Sequence, residues 1–424
     1  MHKIERLLQT LAPKGVEFKT LEEVFEIRNG YTPSKNNPEF WKNGTIPWFR
    51  MEDIRENGRI LKDSIQHITP KALKGKKLFP KNSIIISTTA TIGEHALLIV
   101  DSLANQRFTF LSKKANCDLA LDMKFFFYQC FLLGEWCKNN INVSGFASVD
   151  MTAFKKYKFP IPPLEIQQEI VKILDAFTEL NTELNTELNA RKKQYEYYQN
   201  MLLDFNDINQ NRKDAKERLA QKPYPKRLKT LLQTLAPNGV EFRKLGEVCD
   251  FQKGKSITKK AVTFGKVPVI SGGRQPAYYH NEANRSGETI AISSSGVYAG
   301  YVSYWDIPVF LADSFSVSPK QKTLMPKYLF HYLTTQQDAI HATKSAGGIP
   351  HVYSKDLQNF LIPIPPLEIQ QEIVKILDQF SLLTTDLLAG IPAEIKARKK
   401  QYEYYREKLL TFKPLTPNKE VKKC

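Results

Sequence analysis

A sixteen-residue stretch, PIPPLEIQQEIVKILD, occurs twice without a single change, at residues 160–175 and again at 363–378. A second block, ARKKQYEYY, follows each copy, at residues 190–198 and 397–405. Hydrophobic patterning alone does not impose identity of this length. The period is also far longer than that of solenoid repeats, so the chain reads as a duplicated half-molecule. Each copy opens with Pro-x-Pro-Pro, which cannot continue a strand ladder and presets φ for a chain turning into a helix. Beyond the prolines, Ile166, Ile170, Ile173, Phe177, Leu180 and Leu184 recur at steps of four and three. Ile369, Ile373, Ile376, Phe380, Leu383 and Leu387 repeat the pattern. A mean period of about 3.5 makes a seam along which helices pack.

The duplication reaches the start of each half. LLQTLAP at 7–13 returns at 231–237, and GVEFKTLEEV at 15–24 is answered by GVEFRKLGEV at 239–248. The repeat boundaries propose four blocks, residues 1–158, 159–212, 213–361 and 362–424, a body followed by a long helix in each half. The expected fold class is α+β, with two mixed α/β bodies and an internal repeat. In the first body SIIIST (83–88), HALLIV (95–100) and RFTFL (107–111) are strand candidates, and LALDMKFFFYQCFLLGEWC (119–137) is a buried helix. The second body offers VPVIS (267–271), ETIAIS (288–293) and YAGYVSYW (298–305), then a helical PKYLFHYLTTQQDAI (326–340). Residues 203–229, charge-rich with two prolines, read as a helix end plus linker, and the C-terminal KPLTPNKEVKKC as a frayed tail.

A chain of 424 residues exceeds one core, and 42% hydrophobic residues suffice to build more than one. The net charge of +17 points to an anionic partner, nucleic acid first. No run of about 18 apolar residues is present, and MHKIERLLQTLAP lacks a signal-peptide core, so membrane attachment is disfavoured and a cytoplasmic chain is expected. Cys117, Cys130, Cys137, Cys249 and Cys424 form no CxxC pair, the pattern of reduced thiols, and a zinc site at Cys130 and Cys137 is disfavoured.

Catalytic motifs fail on inspection. Gly254-Lys255-Ser256 resembles the end of a P-loop, but Cys249 stands where the first glycine belongs. Asn37-Pro38-Glu39-Phe40 lacks the second proline of the amino-methyltransferase motif, and Glu394-Ile395-Lys396 has no upstream acid to complete a nuclease site. No catalytic or metal-ligating residue is assigned.

Binding has better support, because polar, basic and aromatic residues interleave at loop positions of both bodies. The first supplies Arg28, Tyr31, Thr32, Lys35, Arg50, Thr88, Thr89, Thr91, Gln106 and Arg107. The second supplies Lys253, Lys255, Ser256, Arg274, Gln275, Tyr278, Tyr279, Ser293, Ser294, Ser295 and Tyr298. Arginine and amide side chains suit base edges, while lysines and hydroxyls suit phosphates. Ile166, Ile170, Ile173, Phe177 and Ile369, Ile373, Ile376, Phe380 are assigned to helix or partner packing. In ARKKQYEYY, Tyr195 and Tyr198 extend the apolar seam, with Lys192 and Lys193 solvated. Between the blocks of the first half, TELN occurs three times in tandem, at 178–189, each unit adding roughly 6 Å of helix. The second half has SLLTTDLLAGIPAEIK instead, with Gly390 and Pro392 expected to kink the helix.

Together, the two PIPPLEIQQEIVKILD blocks, both RKKQYEYY blocks, GIPAEI at 390–395 and NGYTPSKNNPEFWKNGTIPW at 29–48 resemble the specificity (S, HsdS) subunits of type I restriction–modification enzymes over essentially the whole chain. The resemblance implies two target-recognition domains, each reading one part of a split asymmetric DNA sequence. It also implies two long antiparallel, coiled-coil-like helices that set the spacing and dock methyltransferase (M) subunits, two copies being expected. The subunit would be non-catalytic. S-adenosylmethionine would be used by the M subunits, and ATP and magnesium by restriction (R) subunits. Two other readings stand beside it: the recognition part of a related methylation system, and a structural coiled-coil scaffold with incidental charge.

Overall fold

The computed structural model describes residues 2–142, 147–320, 322–345, 349–385 and 390–415. Packing divides the chain into two units, residues 1–183 with 396–424, and residues 184–395. Each unit therefore takes one long-helix block from its own half and one from the other.

In the first unit a five-stranded sheet runs in the order Phe25–Asn29, Phe108–Lys113, Ile84–Ser87, His95–Leu98, Ile60–Leu61. Its three inner strands are buried on both faces, while the edge strands Phe25–Asn29 and Ile60–Leu61 expose Glu26 and Ile60. The helix Met123–Asn139 lies on one face, where Phe25, Phe126 and Phe159 gather with ring centroids 4.4–5.7 Å apart. Its start is set by Asp122, whose carboxylate accepts from Lys124 N at 2.7 Å, so residues 119–121 of the expected helix lie outside it. The other face packs on a small sheet, His67–Ile68, Ile46–Phe49, Leu103–Ala104.

The second unit repeats this plan with divergent letters. Its larger sheet runs Cys249–Lys253, Ser314–Pro319, Thr289–Ser293, Val302–Trp305, and its smaller sheet Tyr278–His280, Val267–Ile270, Phe310–Leu311. Residues 298–301 of the expected third strand form a turn instead, with Gly300 at φ +86°. The helix expected over 326–340 breaks at Gln336 into Pro326–Thr335 and Gln337–Ala342.

Three features tie each body to its long helix. First, Lys158–Ile161 pairs antiparallel with Glu17–Thr20, and Leu361–Ile364 with Glu241–Lys244. Pro160 and Pro363 thus sit inside strands, contrary to the expectation that this motif cannot enter a ladder. The ladders have only two strands, so a proline N faces outward and no hydrogen bond is lost. Second, Gln167, fully buried, donates to Ala120 O (2.8 Å) and Pro162 O (2.7 Å) and accepts from Asp122 N (2.8 Å). Gln370 repeats this with Thr323 O, Pro365 O and Met325 N at 2.8, 2.7 and 2.9 Å. Third, Asp175 binds Lys124 and Tyr128, both at 2.6 Å, as Asp378 binds Lys327 at 2.6 Å and His331 at 3.1 Å. Burial opposes ionisation of Asp378, but the hydrogen bonds from His331 and Lys327 outweigh it and lower its pKa.

The first long helix is continuous from Leu164 to Leu203 and contains all three TELN units. The second is described as Leu367–Thr385 and Ile391–Leu410, and Gly390, where a kink is expected, is a bend outside the helix. Leu387 and tail residues 416–424 lie outside the described residues. Ile166, Ile170, Ile369 and Ile373 are fully buried against their own bodies, and Ile173 and Ile376 partly so. The two ARKKQYEYY blocks are exchanged. Tyr405 stacks on Phe177 at 5.7 Å in the first unit, and Tyr198 on Phe380 at 5.0 Å in the second. Beyond them Leu409 and Leu410 enter the first core, and Leu202 and Leu203 the second. The segment expected as a linker folds as well. Ala215–Gln221 is helical, and Leu219, Tyr224 and Leu228 are buried in the second unit's core.

Leu410 is 1% exposed, so Leu410→Ala is expected to cost the first unit about 3 kcal/mol. The check is chemical denaturation followed by hydrogen exchange across residues 123–139. A loss under 1 kcal/mol would show that the C-terminal block is not part of that core.

Candidate nucleic-acid interface

In the first unit the close approach of two chain segments builds a cleft. Gly30 permits it, since a Cβ there would sit 2.2 Å from Asn105 O. The resulting cavity, about 390 Å³, is lined by Thr32, Lys35, Trp48, Arg50, Arg55, Thr91, Asn105, Gln106 and Arg107 among others. Six of the residues chosen from the sequence therefore meet: Thr32, Lys35, Arg50, Thr91, Gln106 and Arg107. Arg50 stands at the head of the helix Met51–Asn57, where the buried Asp53 carboxylate accepts from Arg50 N and Ile65 N, both at 2.6 Å. Its guanidinium lies 5.9 Å from the Trp48 ring, whose indole N–H donates to Tyr31 O at 2.9 Å.

The polarity of the cleft is one-sided. Gln106 Oε1 accepts from Thr32, and Asn105 Oδ1 accepts from Arg107 N at 3.0 Å. Both amide oxygens are engaged, leaving their N–H groups, three arginines and Lys35 as donors, with Glu52 the one acidic side chain in the lining. A donor-rich cleft suits acceptors such as phosphate oxygens or the N7 and O6 of guanine. Sequence reading missed Arg55 and Asn105. Arg55 is on a short helix rather than a loop, and Asn105 shows no signal beyond its neighbours.

Four other first-body candidates are elsewhere. Arg28 lies over Phe79 at 4.6 Å and pairs with Glu26, and Lys76 covers the Tyr31 ring at 4.2 Å. Thr88 is buried against Thr109, and Thr89 bridges to Ser148. For Thr88 the surface expectation is corrected, because its hydroxyl is spent inside the sheet. Ser293 in the second unit is corrected likewise, being buried with Oγ donating to Ser271 O at 3.0 Å.

The remaining second-body candidates fall into four groups. Arg274 stacks between Tyr298 (4.9 Å) and Tyr301 (5.6 Å), and Gln275 follows it on the same exposed loop. Ser294 N donates to Asp313 O at 3.0 Å, and Ser295 Oγ donates to the Asp313 carboxylate. Tyr278 and Tyr279 stay exposed on their strand, as do Lys253, Lys255 and Ser256 near the close approach at Gly254.

One buried histidine and two buried cysteines lie away from the cleft. Burial, then Arg59, pushes His95 down to about 3 and keeps it neutral. Burial pushes the Cys137 thiol up to about 12 and raises Cys130 too, so neither is poised as a metal-binding thiolate.

A further cavity recurs at the Pro-Pro turn. In the first unit it measures about 300 Å³ and is lined by Glu17, Ile161, Pro162, Pro163 and Leu164. In the second it measures about 310 Å³ and is lined by the matching Glu241, Ile364, Pro365, Pro366 and Leu367.

Comparison with known proteins matches the model described as the type I restriction modification DNA specificity domain to residues 13–193 and again to 237–397. The Escherichia coli type I restriction enzyme EcoprrI specificity subunit is 40% identical over 404 residues, covering 91% of this chain and 93% of that one. The EcoR124I/EcoR124II specificity subunit, also from Escherichia coli, is 32% identical over 62% of this chain and 65% of its own. The crystal structure of an S subunit of a type I restriction–modification system from M. genitalium shares the fold, with a TM-score of 0.56 at 19% identity over 93% of this chain and 95% of that one.

Proposed function

The chain belongs to the type I restriction–modification DNA specificity family, and from that premise we infer that it is the subunit through which such a complex reads a bipartite, asymmetric DNA target. One observation carries the reading: two DNA specificity domains in one chain, at 13–193 and 237–397, differ in sequence between the identical blocks. Two divergent readers fit a split target with unlike halves. A scaffold of incidental charge would need neither the divergence nor a donor-lined cleft.

The subunit assembles with DNA and with M and R subunits. In finer detail, residues 1–158 and 213–361 are the two readers, and 159–212 and 362–424 carry the long helices. The cleft at Arg50, Gln106 and Arg107 contacts DNA in the first reader, and the surface at Arg274 and Tyr298 in the second. Two M subunits dock, supported by the matching cavities at Pro162-Pro163 and Pro365-Pro366. The subunit itself catalyses nothing and works in the bacterial cytoplasm. S-adenosylmethionine is used by the M subunits, and ATP and magnesium by the R subunits.

The test is co-expression with the neighbouring M subunit and genome-wide mapping of methylated adenines. One bipartite sequence with two unlike halves is expected, and methylation without a shared sequence overturns the reading. In the same assay Arg50→Ala is expected to relax one base position in one half-site, with about 1–3 kcal/mol of discrimination lost there. If both halves weaken evenly and the salt slope falls by about one, Arg50 contacts phosphate rather than a base.

A further inference from the structure

Phe264 is 96% exposed, the most exposed of the large apolar side chains among the described residues. It stands on the loop leading into the strand Val267–Ile270, beside Gly265, where a Cβ would sit 2.1 Å from His280 O. The loop therefore lies flat on the strand Tyr278–His280, and the buried His280 holds it there, with Nδ1 3.1 Å from Thr263 N.

The first unit contains the same loop and serves as an internal control. Gly44 precedes the strand Ile46–Phe49 by two residues, as Gly265 precedes Val267, and a Cβ on Gly44 would meet His67 O at 2.6 Å. The residue ahead of Gly44 is Asn43, exposed at φ +58°. The shared fold thus accepts a small polar residue at this point and does not require a ring. The surroundings are basic: Lys259, Lys260 and Lys266 are all exposed within five residues of Phe264. The half-exposed Tyr279 lies on the adjoining strand.

We propose that Phe264 is a wedge that enters the base stack of the half-site held by the second unit, opening one base step and kinking the duplex there. The proposal rests on the specificity-subunit reading. An apolar side chain pushed between base pairs lets a protein trade unstacking for a bent duplex that meets more of its surface. The three exposed lysines within five residues of the ring favour a polyanion over an apolar protein pocket, which would have to desolvate them. The first unit, with Asn43, reads its half-site without such a wedge, so the distortion is confined to one half of the target.

The experiment uses the chain assembled with its M subunits and a duplex carrying the mapped target, with 2-aminopurine placed in turn at each position of both half-sites. One position in one half-site is expected to brighten on binding. Phe264→Ala should abolish that signal and weaken binding roughly 5- to 150-fold, the range for loss of one base–aromatic stack. Phe264→Trp should keep both, and Asn43→Ala should change neither. An unchanged signal in Phe264→Ala overturns the wedge. So does loss of the M subunit from that variant with the signal intact, which would make the ring a protein contact. A wild-type complex that cannot tell the target from random duplex would overturn the specificity reading itself. A side chain this exposed can be truncated without unfolding its loop.

Discussion

Gln167→Leu is expected to lower the stability of the first unit by about 4 kcal/mol, and Gln370→Leu to do the same in the second, although leucine is of similar size and more apolar. Both glutamines are fully buried, and each closes three hydrogen bonds. Leucine would fill the space but strand two carbonyls and one N–H away from water, each at about 1–3 kcal/mol. The partners are all backbone atoms, of Ala120, Asp122 and Pro162 in one unit and of Thr323, Met325 and Pro365 in the other. A side chain that grips only backbone can stay the same while the residues it grips diverge. That accounts for a glutamine conserved between the two repeats beside bodies that share few letters. Thermal unfolding of each variant, with hydrogen exchange to locate the weakened unit, checks it. A loss under 1 kcal/mol in either unit would mean the bracket is not holding body to helix.

The sequence carried the long-range plan because exact repetition is visible without any structure. The strands Ile84–Ser87 and Phe108–Lys113, and the buried helix from Met123, were legible for the same kind of reason, since each is a strong local pattern. What it concealed depends on partners distant in the chain. Pro160 enters a strand only because Glu17–Thr20 returns to pair with it. The exchange of the ARKKQYEYY blocks was invisible because Tyr198 and Tyr405 close identical blocks, and only packing tells which phenylalanine each one meets. Residues 203–229 looked like linker because charge dominates the average, while Leu219, Tyr224 and Leu228 carry the packing. In the candidate cleft, loop polarity located Arg50 and Gln106. The same rule chose Thr88 and Ser293, whose hydroxyls turn inward because each lies at the end of a fully buried strand.

Deleting one TELN unit is expected to move the two half-sites one base pair closer while leaving both half-site sequences unchanged. The three units lie inside the uninterrupted helix Leu164–Leu203. Because they are identical, removing one leaves the flanking letters as they were, with Phe177 before the array and the ARKKQYEYY block after it. Four residues are roughly 6 Å of helix and about 400° of rotation, one turn plus some 40°. On DNA about 3.4 Å and roughly 34–36° separate neighbouring base pairs, so 6 Å is between one and two steps and the residual rotation is close to one. Translation and rotation thus agree on a short change of spacing. Removing three residues instead would leave the helix about 60° short of a full turn and should lose methylation altogether. Methylome mapping of the two deletions separates the outcomes. The spacing reading fails if the four-residue deletion keeps the original spacer or alters the bases of either half-site.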